Sequence, residues 1–174
     1  MDAEQRSAIL DLPDGPAPRP GDVVSPEAIV EAVYDAISGP AEVDQERDWD
    51  RLRSLFLPGA RLVLTRWRSP DGEEEQVLRA WDVEGFIDAA KGFYEESSFY
   101  EREVARRIDR FGCIAQVFST YESRVGSEDS EPVSRGINSV QVVQAHDRWW
   151  IAHLVWDVEG AEHAIRRAHL PEDG

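Results

Sequence analysis

The chain has 174 residues, 41 % of them hydrophobic, with six Trp and six Phe, which suffices for one domain with an apolar interior and is too little for two. Its 35 acidic residues outweigh 19 basic ones for a formal charge of −16, which argues against nucleic acid and against anionic membrane surfaces as partners, since both would be repelled at long range. No apolar stretch reaches the roughly 18 residues of a membrane span, and the acidic N-terminus lacks the charged-then-apolar pattern of a secretory leader, so the cytoplasm is the expected compartment.

Residues 1–24 carry Pro13, Pro16, Pro18 and Pro20 among scattered acids and read as a flexible arm that cannot bury enough apolar surface to order itself. Ser25 and Pro26 then signal a helix start, with Ile29, Val33 and Ile37 recurring on one face and Gly39-Pro40 as the stop. A second, short helix is capped by Asp48 and turns Trp49, Leu52, Leu55 and Phe56 to one side. Pro58-Gly59 makes a turn into a strand at 61–67, Ser69-Pro70-Asp71-Gly72 is a loop tip, and 76–81 is the returning strand. Asp82 caps a third helix whose apolar stripe is Phe86, Ile87, Ala90, Phe93 and Tyr94.

In the next run, 99–111, the spacing of Tyr100, Val104 and Ile108 suits either a helix or a strand face. Alternating Arg and Glu with bracketing aromatics favour a strand. Runs at 113–124, 133–143 and 148–155 complete the sheet, 126–131 is an acidic loop, and 161–170 is a short tail helix. Strands in sequence joined by short turns imply an antiparallel sheet with helices segregated to one face, an α+β fold.

Chemistry-bearing motifs are sparse. Cys113 is the one cysteine, which precludes an internal disulfide and leaves a Cys-based zinc site unsupported; a small buried hydrophobe is the simpler reading. His146, His163 and His169 lack metal-ligand spacing. No phosphate-cradling glycine loop, nucleophile elbow or dinucleotide fingerprint is present, so neither a cofactor nor a metal is expected.

Three stretches carry a resemblance: RWWIAHLVWD at 148–157, GCIAQV around Ala115, and the capped helix AWDVEGF at 80–86. Over residues 25–157 the chain resembles the nuclear transport factor 2-like (NTF2-like, SnoaL-like) superfamily, whose members include cyclases, ketosteroid isomerases and scytalone dehydratases. STYESR and RGINS in the central strands are similar to its uncharacterised bacterial members. The resemblance implies a cone, a strongly curved antiparallel sheet packed on three N-terminal helices around a mostly apolar cavity. That fold hosts enzymes, binders and assembly modules alike.

The last hairpin tells which residues reach such a cavity. With no Asn-Gly or Asp-Gly pair present, a three-residue turn at 145–147 is favoured; it pairs Gln141 with Ile151, Ser139 with His153, Ile137 with Val155 and Arg135 with Asp157. Alternation then places Arg135, Ser139, Gln141, His153 and Asp157 on a mixed polar face expected to line the cavity, and Trp150 and Trp156 on the opposite face, expected to meet helices or a second subunit. A two-residue turn would regroup the set. His153 is the candidate general base, and the bland alternative is a histidine bonded to its strand neighbour. His153 and Asp157 stand about 13 Å apart along a strand and form no dyad. Arg135 and Asp157 read as a cross-strand ion pair or, with Ser139 and Gln141, as ligand-binding groups. Tyr121 is the candidate hydrogen-bond donor by resemblance to the isomerases, whose carboxylate base finds no assignable counterpart here. Two functions follow: binding of a small, largely hydrophobic molecule, with cofactor-free acid/base chemistry of isomerase, dehydratase or cyclase type, or a non-catalytic homodimeric assembly domain.

Overall fold

Ser25 opens the first helix of the computed structural model, which describes residues 15–41, 47–68, 75–160 and 163–171. The Ser25 Oγ accepts the Ala28 N–H at 3.1 Å, and Pro26 occupies the first turn of α1 (Pro26–Ile37), where no donor is needed. Asp48 caps α2 (Trp49–Leu55) through the Arg51 N–H, and Asp82 caps α3 (Val83–Glu96) through the Gly85 N–H. The row Ile29, Val33 and Ile37 is buried, as helical spacing of apolar residues demands.

Six strands follow: β1 (Phe56–Arg68), β2 (Glu75–Trp81), β3 (Phe99–Phe111), β4 (Ile114–Val125), β5 (Ser134–Ala145) and β6 (Arg148–Val158). They form one sheet in the order β2-β1-β6-β5-β4-β3. The expectation of a wholly antiparallel sheet is corrected at one seam, where β1 lies parallel to β6. A parallel neighbour needs a long crossover, and here everything from β2 to β5 serves as that connection. Period-two alternation identifies a strand without saying which way its partner runs.

Bulges bend the sheet. One residue is extra at Val104 in β3 and one at Ala152 in β6, and β1 shifts register between Phe56 and Arg61. The last absorbs Pro58-Gly59, expected as a turn before the strand, into the strand itself; Gly59 supplies the φ of 80°. The concave face carries Val117, Val140, Val142, Trp149, Ile151 and Leu154, all buried beneath the helices. Burial of side chains this size contributes about 1.5–3 kcal/mol each.

Several segments differ from their sequence reading. Residues 20–23 pack on the body, for Val23 is buried and Asp22 holds Arg51 at 2.7 Å beside a 3-10 turn at Pro20–Val23. Residues 1–14 of the expected flexible arm and the loop tip at Ser69–Gly72 lie outside the described residues. Tail residues 163–171 hold a 3-10 turn at Arg167–His169 in place of an α-helix. Cys113 is exposed, not buried, because it sits in the tight β3–β4 turn beside Gly112 with its φ of 54°. Among the described residues no helix is long and apolar enough to cross a membrane.

Candidate functional site

The hairpin meant to furnish the site turns its other face inward. Its turn has two residues, His146 and Asp147, both left-handed with φ of 51° and 59°, which is the backbone that a two-residue hairpin uses even without Asn-Gly. The Ala152 bulge then slips β6 once more. The pairs are Gln141 with His153, Ser139 with Val155 and Ile137 with Asp157. His153 and Gln141 are exposed on the convex surface, where the His153 Nδ1 accepts the Arg61 N–H at 3.3 Å. Ser139 is on the same convex side and accepts from Gln116 at 2.9 Å. Arg135 pairs with Glu122 at 2.6 Å rather than with Asp157. Asp157 accepts its neighbour's N–H, from Val158, at 2.8 Å. The bulge also separates the two tryptophans expected to share a face: Trp156 points inward, while Trp150 lies outside under the Arg148 guanidinium, 3.6 Å from its ring.

Of the residues singled out, Tyr121 does point inward and is buried. It lies across its strand partner Gly136, where an added Cβ would stand 2.5 Å from the Tyr121 hydroxyl. Burial, and then the nearby Glu101 charge, push its phenol well above the ordinary value.

Between sheet and helices lies an apolar cavity of about 160 Å³. Helix α1 contributes Val33 and Ile37, α2 Leu52, β1 Leu62, and β6 Leu154 and Trp156; α3 gives Phe86 and Tyr94, and β3 gives Phe99. Trp156 stacks on Trp81 at 6.0 Å and meets the Phe86 edge at 6.2 Å, so a packed aromatic group bounds one side. Two polar side chains enter this hollow, Glu101 of β3 and Asn138 of β5.

They terminate a directed hydrogen-bond chain. Arg106 donates to Glu103 and to Glu31. Ser119 donates its proton to Glu103 at 2.5 Å, so Tyr34 donates to Ser119 at 2.6 Å and accepts from the Asn138 amide at 3.0 Å. The same amide nitrogen donates to Glu101 at 3.3 Å. The chain has one polarity, anchored by the charged Glu103–Arg106 pair, and it fixes how Asn138 presents its amide. Tyr34, from α1, has its phenol raised by burial and by the Glu101 charge.

Glu101 is the anomalous group. Burial pushes its carboxyl up to about 8 from an ordinary 4.5, and the single Asn138 hydrogen bond only partly opposes this. Its other flank borders a polar groove of about 380 Å³ between α1 and β3, lined also by Glu31, Tyr34, Asp35, Ser38 and Glu103. A carboxyl that borders both an apolar hollow and a wet groove can meet a ligand on one side and water on the other.

A larger hollow, about 660 Å³, runs past Pro16, Pro18, Phe56 and Trp150. Its charged residues are spoken for: Arg53 binds Glu84 and Asp50, and Arg148 donates to the Ser54 carbonyl. Pairing lowers the Glu84 carboxyl and raises Arg53, and burial lowers Arg148. None of these brings an acid or base toward neutrality, whereas the smaller cavity contains Glu101. Among the described residues no group of three or more His, Cys, Asp or Glu is placed to hold a metal ion.

Glu101 went unnoticed in the sequence because it stands in Tyr-Glu-Arg-Glu, which reads as an ordinary charged strand. The usable signal was its neighbours' faces. Ala115, Val117, Ser119, Tyr121 and Ser123 alternate inward on β4, and the register sets Glu101 opposite Ser123 and Glu103 opposite Tyr121.

No protein-family model matches the chain, and no curated protein matches it. Solved structures do. A protein from Caulobacter vibrioides with a cystatin-like fold superposes with a TM-score of 0.51 at 12 % identity, over 78 % of this chain and 88 % of that one. A protein of the NTF2-like family from Streptomyces avermitilis, described as a candidate dehydratase, gives 0.50 at 14 %, over 79 % of this chain and 100 % of that one. An NTF2-like protein of unknown function from Silicibacter pomeroyi gives 0.47 at 15 %, over 76 % and 92 %. Helices on the concave side of a bulged six-stranded sheet, with β6 between β1 and β5, make this the NTF2-like cone fold.

Proposed function

We propose that the cone cavity binds a small, largely hydrophobic molecule and that Glu101 exchanges a proton with it, in cofactor-free acid/base chemistry of the isomerase, dehydratase or cyclase type. The observation that supports this is the Glu101 carboxyl held near neutrality in an apolar hollow, where it is a competent acid and base at working pH. Asn138 orients it. Tyr121, though inward, is not among the residues lining the cavity, and His153 faces solvent, so the roles expected of them pass to Glu101 and Asn138. The Streptomyces protein's description names one of these reaction types for the same fold. The test is native mass spectrometry of the purified protein with thermal-shift screening of small ring compounds. Retained or stabilising ligands that are lost on Leu154→Trp, which fills the hollow, support the reading; a cavity that takes none of them refutes it.

A second reading, assembly as a homodimer, is favoured by the convex face. There Val63, Val155, Ser139 and Phe118 form one cross-strand row, and Val155 and Phe118 remain exposed. Sedimentation of the wild type and of Val155→Asp decides it: a dimer that dissociates in the variant supports this reading, and a monomeric wild type ends it.

A further inference from the structure

Three of the acids that line the groove beside Glu101 have a cation: Glu31 and Glu103 share Arg106, and Asp35 meets Arg51 at 3.3 Å. Elsewhere on the body Glu84 holds Arg53 at 2.6 Å, and Glu122 holds Arg135 at 2.6 Å and Arg124 at 2.8 Å. Glu101 forms no ion pair among the described residues and accepts from one amide, at 3.3 Å. A desolvated carboxylate left without a counter-charge is unfavourable, and the Asn138 amide offsets that only in part. The same hollow is lined by the rings of Phe86, Phe99 and Trp156, and by Tyr94, whose ring already carries the Arg47 guanidinium at 4.1 Å. Aromatic faces attract a cation, more strongly when it is desolvated.

The second observation is electrostatic. The groove on the outer flank of Glu101 is lined by Glu31, Asp35, Glu103 and Glu128 against Arg102 and Arg124, with Arg106 and Arg51 paired to three of those acids. Its local charge is nearly balanced, and the long-range field is set by the chain's formal charge of −16. A field of that sign draws cations toward the groove and repels anions. Size is the third constraint. A dry cavity of roughly 150 Å³ admits a benzene ring, and this one measures about 160 Å³.

Resting on the reading of the cone cavity as a ligand site, we propose that its ligand is a small amine bound as the ammonium ion, one apolar ring bearing a cationic nitrogen that donates to the Glu101 carboxylate while the ring packs among the cavity's aromatic faces. The ligand supplies the counter-charge that the chain withholds. Neutral alcohols keep a hydrogen bond and lose the charge, and carboxylic acids are repelled.

Isothermal titration at about pH 8, where ammonium and carboxylate coexist, separates these cases with three ring probes of equal size: benzylamine, benzyl alcohol and benzoate. The expected ranking on the wild type is benzylamine at least tenfold tighter than benzyl alcohol, with no measurable benzoate binding. In Glu101→Gln the ratio of benzylamine to benzyl alcohol affinity falls to about one. Benzyl alcohol matching benzylamine on the wild type, or an amine preference that survives in the variant, overturns the amine assignment and leaves the cavity a ligand site. Failure of all three probes overturns both readings. The ranking on the wild type alone is decisive should the variant fold poorly.

Discussion

Replacing Glu101 by Gln tests the site through stability before any ligand is known. In the folded protein the carboxyl ionises at about 8, against an ordinary 4.5. Between those values the native state keeps a proton that the unfolded chain has released, so stability falls as pH rises. The contribution is fully present below 4.5 and is lost as pH passes through 8. A shift of that width corresponds to about 5 kcal/mol at 1.36 kcal/mol per unit. Glu101 is only partly buried as a residue and borders the wet groove, so about 3 kcal/mol is the working figure. Glutamine keeps the shape and the acceptor for Asn138 and never ionises. Urea denaturation of both proteins at intervals from pH 5 to 9 reads the difference, in which all other titrating groups cancel. The variant should gain about 3 kcal/mol on the wild type across that range. A difference that stays constant within about 0.5 kcal/mol would show an ordinary, solvated carboxylate, and the reading of Glu101 as a poised acid and base would be falsified.

Gly136→Ala places a Cβ 2.3 Å from the Asp157 carbonyl and 2.5 Å from the Tyr121 hydroxyl; a loss of about 2–3 kcal/mol in chemical denaturation is expected, from overpacking. Trp156→Ala removes the ring that stacks on Trp81 and abuts Phe86; it should lose about 2 kcal/mol and, by opening the cavity, weaken binding of any ring probe. His153→Ala should change stability by less than about 0.5 kcal/mol and leave ring-probe affinity unaltered, because the side chain is solvent-exposed on the convex face; a tenfold loss of affinity would restore it to the site. Asp82→Ala removes the α3 cap, with an expected loss of about 1 kcal/mol.

How much of this was legible in the sequence depended on the range of the interactions involved. Caps and helix faces are local, so Ser25, Asp48 and Asp82 announce their helices within four residues. The strand over Phe99–Phe111 was legible from its alternating charges. The inward face of the last hairpin was not, because alternation groups Ser139, Gln141 and His153 on one face without saying which face meets the helices. The two-residue turn at His146 and Asp147 and the extra residue at Ala152 shift the pairs but not that grouping. Each slip alone reverses the side of every residue beyond it. Two slips in succession restored the same-parity pairing of β5 with β6 beyond the bulge, yet which face met the helices was set by α1 and β4. Glu101 acquires its character from Asn138, Tyr34 and the aromatic rings, all remote in sequence, and nothing within Tyr100–Glu103 records that meeting.

The parallel seam between β1 and β6 has a kinetic corollary. One of the earliest strands and the very last must find each other across nearly the whole domain, with Phe56 aligned to Ile151 and Thr65 to Asp157. Loop closure over such a span is slow. On the ribosome the β1–β2 hairpin therefore waits with its β1 edge bare until β6 emerges, and that waiting edge exposes the nascent chain to mispairing with its neighbours.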